Sequence, residues 1–219
     1  MYNYILFDLD GTLTDPKEGI TKCVQYALAA CGIDEPNLDN LLSFIGPPLV
    51  DEFMRVYGFS KEKAEFALAK YRERFPIKGL YENKIYPGAA QMLATLKQSG
   101  RKIALATSKP QPYAEKILEN FKIKDYFDVI VGATFDSKRN DKADVIAEVL
   151  KQFGITDADK KNVIMVGDRK HDVIGAAKNG IATVGIRLGY AEPGELENAG
   201  AIYIAEDIAD LENYLLNAE

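Results

Sequence analysis

The sequence predicts an α/β protein in which a parallel sheet, covered by helices on both faces, is interrupted near its start by a small α-helical insert. Three observations lead there. Past residue 85, short and nearly continuous apolar runs alternate with segments of helical spacing, the pattern of strands buried on both faces. Between the first apolar run and the next lie about ninety residues, where a strand-helix-strand crossover needs little more than a dozen. At 219 residues and 47% hydrophobic, the chain is long enough to bury a core in one domain or two.

Each element has its own signal. The first strand opens "YILFDLDGTLTD", Tyr4 to Asp15, and ends in two aspartates with only Leu9 between them. The insert, residues 16–84, carries "EGITKCVQYALAACG", "NLDNLLSFIG", "PLVDEFMRVYG" and "SKEKAEFALAKYRERF", with apolar residues near three-and-four spacing and glycines at several ends. "LYENKIYPG" reads as the return hinge. In "PGAAQMLATLKQSG" proline stands near a helix start and Gly100 at its end. Strand "KIALAT", a helix from about Pro110 to Phe121, strand "FDVIVGA" and a helix from about Asp141 follow. Strand "NVIMVGD", a helix from Asp172, strand "IATVGI" and finally "AIYIAED" with a closing helix complete the sheet domain, residues 1–15 and 85–219.

A net charge of -6 and a pI near 5.0 argue against a nucleic-acid polymer or an anionic membrane as partner. No stretch approaches the roughly 18 apolar residues of a membrane span, and the start is too acidic for a signal peptide, so a cytoplasmic protein is expected. Monomer and homodimer both remain open. Cys23 and Cys31, eight residues apart on a helical segment, stand roughly 12 Å apart, beyond disulfide reach. With no close Cys/His cluster, a zinc or iron-sulfur site is not expected either.

In parallel sheets, ligands sit beyond the carboxyl ends of the strands, and the residues there are unusual. Asp8 and Asp10, two apart, share one face at the end of the first strand, followed by Gly11 and Thr12. Thr107, Ser108 and Lys109 end the second. Asp168 ends "NVIMVGD", with Asp172 one turn further on, and Lys142 opens a helix. If all converge, four carboxylates face one lysine, which demands a counter-ion. All-oxygen ligation suits Mg2+, and the metal, hydroxyls, lysine and glycine turns together describe a phosphate site.

Roles follow from the chemistry. Asp8 can attack phosphorus in line, and Asp10 can protonate the leaving alkoxide and then deprotonate the attacking water. Gly11 turns its backbone amides to the phosphate, Thr107 offers a hydroxyl, and Lys142 neutralises transition-state charge. Asp168, Asp8 and the backbone carbonyl of Asp10 would hold the metal, with Asp172 binding directly or through water. Alternatives stay open at several positions. Lys138 or Arg139 could replace Lys142, and Asp172 could simply satisfy helix-start amides. Asp15 either orients the catalytic loop or caps the first insert helix. Ser108 and Lys109 either contact phosphate or shape their turn. His171 reads as a solvated helix-start residue, and Gly46-Pro47-Pro48 as either a substrate-facing loop or a helix connection. The aromatics of Tyr71–Phe75 and Tyr81–Tyr86 read as core in preference to a stacking platform.

"DLDGT", the threonine ending "KIALAT", the lysine opening a helix and "GDRKHD", in this order, resemble the four motifs of the haloacid dehalogenase (HAD) superfamily. The insert resembles the type 1 cap of its phosphoglycolate-phosphatase-like branch. The resemblance implies a Rossmann-like core (the HAD fold), with the first strand central between those bearing Thr107 and Asp168. It also implies Mg2+-dependent hydrolysis of a small phosphorylated metabolite through Asp8, with the insert closing over the substrate. Asp10 matches the phosphatase pattern and not the dehalogenases. "ATSKPQPYAEKIL" and "GDRKHDVIGAAKNGI" look most like 5'-nucleotidases. Phosphoglycolate phosphatases often carry Asn where Ser108 stands, and the β-phosphoglucomutase branch often carries an acid where Gly167 stands. Phosphoglycolate, sugar-phosphate and mutase readings are the alternatives. A non-hydrolytic phospho-receiver is a different class, and it would phosphorylate an aspartate on a later strand, whereas "FDVIVGA" ends without a carboxylate.

Overall fold

The computed structural model describes residues 2–135 and 139–217, so Lys138 lies outside the described residues. In chain order the strands and α-helices begin with β1 (Tyr4–Phe7), β2 (Thr14–Asp15), α1 (Lys17–Ala30), α2 (Leu49–Tyr57), α3 (Lys61–Arg74) and β3 (Lys84–Ile85). They continue with α4 (Ala89–Gln98), β4 (Lys102–Pro110), α5 (Gln111–Asn120), β5 (Val129–Ala133), α6 (Lys142–Phe153) and β6 (Val163–Gly167). The last are α7 (Lys170–Lys178), β7 (Ala182–Ile186), α8 (Glu195–Ala199), β8 (Tyr203–Ala205) and α9 (Ile208–Asn217). The chain divides into two compact units, Met1–Thr14 with Ile85–Glu219, and Asp15–Lys84.

The larger unit is built on a six-stranded sheet ordered β5-β4-β1-β6-β7-β8. Its pairings are parallel, and β1 lies between β4 and β6, with Phe7 opposite both Leu105 and Val166. Parallel strands need covered faces, and the sequence supplies apolar residues on both sides of each pleat. On one face Leu6, Ala104, Val131 and Met165 pack with Val145, Ile146 and Val149 of α6 and Ala176 of α7. This fixed register brings the carboxyl ends of β1, β4 and β6 side by side. α6 starts where the Asp141 carboxylate accepts the Ala143 N–H at 3.0 Å, which sets the position of Lys142 one residue later.

The smaller unit has its own core. Phe44, Phe53 and Phe59 pack in a row, Phe44 tilted against Phe53 and Phe59 stacked on it, with ring centroids 4.9 and 6.0 Å apart, and Tyr71 stacks on Phe75 at 5.2 Å. Tyr71 and Phe75 are thus core, whereas Tyr81 is exposed. "NLDNLLSFIG" forms a 3-10 helix, Leu38–Phe44, in place of the α-helix expected; the Asn37 side chain accepts the Asp39 N–H at its start. The hinge stretch contains β3, which pairs with β2 in a two-stranded sheet. Asp15 accepts the Lys17 N–H at 2.9 Å, so it serves the start of α1. Cys23 and Cys31 are not joined in a disulfide. Among the described residues no helix is long and apolar enough to cross a membrane.

After α3 the chain makes one π-helical turn, Phe75–Gly79, and this turn lies directly on α1. Gly19 and Gly79 make that approach possible, since a Cβ on Gly19 would collide with the Gly79 carbonyl. Across it the Arg74 guanidinium grips Glu82 through two bonds of 2.6 and 2.9 Å and donates to Cys23 Sγ at 3.2 Å. Gly19→Ala is expected to destabilise the protein by about 1–3 kcal/mol through overpacking. A lowered denaturation midpoint measures it, and an unchanged one contradicts the contact.

Candidate active site

The chain leaves β1 into a tight loop whose shape comes from Leu9 and Gly11. Leu9 is buried, and its carbonyl accepts the N–H groups of Leu13 and Thr14 at 2.9 and 3.0 Å. Gly11 takes φ of 79°, and its N–H donates to the Thr14 carbonyl. A second reason requires glycine there: a Cβ would collide with the Asp168 carboxylate. The loop therefore holds Asp8 and Asp10 beside the end of β6.

Lys142 is the hub of the cluster. It is 4% exposed, and its Nζ lies 3.0 Å from Asp8 Oδ1, 2.8 Å from Asp172 Oδ1 and 3.0 Å from the Ala106 carbonyl, to which it donates. Gly175 on α7 admits the lysine stem, because a Cβ there would press on Lys142 Cγ. Burial disfavours the ammonium, but Asp172 and Asp8 outweigh burial and hold its pKa above the ordinary lysine value.

Asp168 and Asp172 complete a triad with Asp8 in which one oxygen from each lies within 4.8 Å of the others. Tyr190 N–H donates to Asp168 Oδ2 at 2.8 Å, and the Thr12 hydroxyl approaches Oδ1 at 3.5 Å. Asp172 Oδ2 accepts the Arg169 N–H at 3.1 Å, so α7 begins at Lys170, two residues earlier than expected, with Asp172 inside its first turn. Side chains at Gly167 or Gly189 would strike Asp172 and Asp168 respectively. Burial raises the Asp168 pKa well above the usual range, and Asp172 and Asp8 add to the effect. Burial likewise raises Asp172 to about 6, against the pull of Lys142.

On the other side of β1, the end of β4 bulges. Thr107 pairs with Gly132 and Pro110 with Ala133, so Ser108 and Lys109 are extruded from the ladder. The Lys109 N–H donates to Thr107 Oγ1 at 3.2 Å, and the Lys109 ammonium pairs with Asp10 Oδ2 at 2.5 Å. Burial raises the Asp10 pKa, and Lys109 opposes it. Asp10 Oδ1 is buried without a hydrogen-bond partner among the described residues.

Asp8, Asp10, Asp168, Asp172 and Lys142 thus converge, with Gly11 and Thr12 against Asp168 and with Thr107 and Ser108 on the adjoining bulge of β4. Lys109 joins as a second cation, where the sequence suggested one. His171 is exposed on α7, and Arg139 donates to the Gly132 carbonyl. Sequence reasoning missed Glu195 beside the triad. Glu195 of α8 pairs with Arg169 at 2.8 Å and accepts the Lys170 N–H at 2.9 Å, tying the start of α7 to the loop that carries Tyr190. Nothing in a single glutamate's local sequence announces this contact, whereas the glycines flanking the acids were a usable signal.

Four aspartates against the ammoniums of Lys142 and Lys109 leave a formal excess of two negative charges, that of one divalent cation. Three buried carboxylates with an unbalanced charge fit a hard, oxygen-ligated ion such as Mg2+. The family model described as haloacid dehalogenase-like hydrolase matches residues 5–186, a span holding all four aspartates and both lysines. The chain belongs to that family. Within the haloacid dehalogenase-like hydrolases, a 5'-nucleotidase from Pseudomonas aeruginosa is 43% identical over 98% of this chain and 96% of its own length. The tyrosine-protein kinase PtkA from Mycobacterium tuberculosis is 41% identical over 85% of this chain and 62% of its own. The crystal structure of a predicted phosphatase from Clostridium acetobutylicum superposes with a TM-score of 0.93, at 45% identity and 99% coverage of both chains. The protein is a phosphatase of the haloacid dehalogenase-like hydrolase family.

The raised Asp172 pKa carries a stability prediction for the metal-free protein. The fold holds this proton more tightly than the unfolded chain, whose aspartates titrate near ~3.9. Its contribution is complete below that value and is lost as pH rises through about 6. In EDTA, stability should fall across that window by something on the order of 3 kcal/mol from this group. Asp172→Asn, neutral at every pH, should flatten the fall in thermal melts.

Proposed function

We propose that the protein is a Mg2+-dependent phosphomonoester hydrolase acting through an aspartyl-phosphate on Asp8, with nucleoside 5'-monophosphates as its substrate class. The observation that carries this reading is the buried Asp8-Asp168-Asp172 triad gathered around Lys142 at the strand ends. Asp8, Asp168 and Asp172, with the Asp10 backbone carbonyl, would hold the metal. When bound, Mg2+ offsets carboxylate charge and polarises the phosphoryl group.

Asp8 attacks phosphorus through the carboxylate oxygen not committed to Lys142. As the new O–P bond forms, the ester P–O bond breaks, and the leaving oxygen takes the proton of Asp10. Asp10, now a carboxylate, accepts a proton from the water that cleaves the aspartyl-phosphate, which returns Asp8 and releases phosphate. Lys142 orients Asp8 and offsets the charge that develops on the phosphoryl oxygens, and Thr107 donates its hydroxyl to one of them. Burial of Asp10 favours the protonated form that the first step requires.

The substrate class rests on the 5'-nucleotidase relative, which matches this chain over nearly its whole length. Gly167 weighs against a mutase-type acid at that position, since a side chain there would meet Asp172. Asp8→Asn is expected to abolish turnover, and Asp10→Asn to lower kcat by about 10²–10⁴-fold. EDTA should stop the reaction and added Mg2+ restore it. On a panel of nucleoside monophosphates, phosphoglycolate, sugar phosphates and pyrophosphate, kcat/KM should be highest for the nucleotides. A clear preference for phosphoglycolate or a sugar phosphate sinks the substrate assignment, and full activity of Asp8→Asn sinks the mechanism.

A further inference from the structure

We propose that Lys109 is the positioning residue of the proton-transfer step, fixing Asp10 so that one of its carboxylate oxygens is held and the other is presented to the substrate. The role rests on the hydrolase reading above and deepens it. Two lysines enter the site, and they divide the acids between them. Lys142 takes Asp8 and Asp172, while the Lys109 ammonium lies on Asp10 Oδ2.

The backbone is shaped to deliver this contact. Continuing β4 in register would give Thr107, Ser108 and Lys109 successive partners on β5; instead the strand advances three residues while β5 advances one. Such bulges re-aim side chains beside active sites. The Thr107 hydroxyl oxygen accepts the Lys109 N–H and so fixes the turn from within. Gly132, opposite the bulge, has no room for a side chain, because a Cβ would collide with the Lys109 carbonyl and the Gln111 backbone. The result is a lysine whose side chain is only 5% exposed, its long stem held in the protein and its charge placed on the Asp10 carboxylate.

The asymmetry at Asp10 is the functional point. Oδ2 is committed to the ammonium, and Oδ1, buried and without a hydrogen-bond partner among the described residues, is the oxygen free to carry and receive the proton. Without the lysine, the short aspartate side chain is free to rotate about its terminal torsion, and the donor loses its fixed direction.

The test is a leaving-group series with the full-length protein and Mg2+: p-nitrophenyl phosphate, phenyl phosphate and glycerol phosphate. kcat/KM reports the step in which the leaving group departs, and a poor leaving group depends most on the acid. Lys109→Met should lose about 10²-fold on glycerol phosphate and under about tenfold on p-nitrophenyl phosphate, with the inhibition constant of inorganic phosphate unchanged. Lys109→Arg should recover part of the loss. In an Asp10→Asn background, Lys109→Met should add little further loss. A uniform loss across the series, or weakened phosphate inhibition, overturns the role and makes Lys109 a phosphate ligand. Lys109→Gln, judged by the same slope, decides if the methionine variant does not fold. If Asp8→Asn retains activity in the same assay, the hydrolase mechanism itself has failed, an outcome distinct from failure of the lysine.

Discussion

The site depends on one buried ammonium group. Lys142 is shared by Asp8, Asp172 and the Ala106 carbonyl, groups contributed by the end of β1, by α7 and by β4. A buried charge is stable only when its partners are close and well placed, so these three elements must meet with little freedom. The fold supplies that constraint through the parallel register of β1 with its two neighbours and through the Asp141 cap that starts α6 immediately before the lysine.

Around this ammonium the chain makes room for carboxylates by leaving out side chains. Gly11 in the loop after β1, Gly167 at the end of β6 and Gly189 in the loop after β7 each clear space for Asp168 or Asp172. Burial raises the pKa of both acids, which reflects the cost of holding their unbalanced negative charge there. A divalent cation held there would offset that cost, because it would supply the charge that the two lysines do not. The same crowding bears on specificity of chemistry, since no further acid fits at position 167.

The helical insert obeys a different constraint. Its aromatic row and its Gly19-Gly79 contact form a core within residues 15–84, and the Arg74–Glu82 ion pair spans that contact. Separate cores allow the two units to be specified independently by sequence. The expected helix at Leu38–Phe44 is a 3-10 helix, opened by the Asn37 side chain, which accepts the Asp39 N–H.

The sequence by itself determined the strand-helix alternation, the presence of the insert and the identity of the acids, because these follow from periodicity and from charges standing at strand ends. Asp8 and Asp10 were legible as a pair, and Asp168, Asp172 and Lys142 as their companions, since each follows or opens a strong local element. Tertiary structure decided how the charges are divided. Lys109 looked like a turn residue or a phosphate ligand, and only the bulge in β4 carries it to Asp10. Glu195 and the Tyr190 amide reach the site from beyond β7, and their contacts span twenty or more residues of chain. Local pattern encodes which elements form, whereas the partner of a buried charge depends on a register and a bulge that exist only once the sheet has assembled.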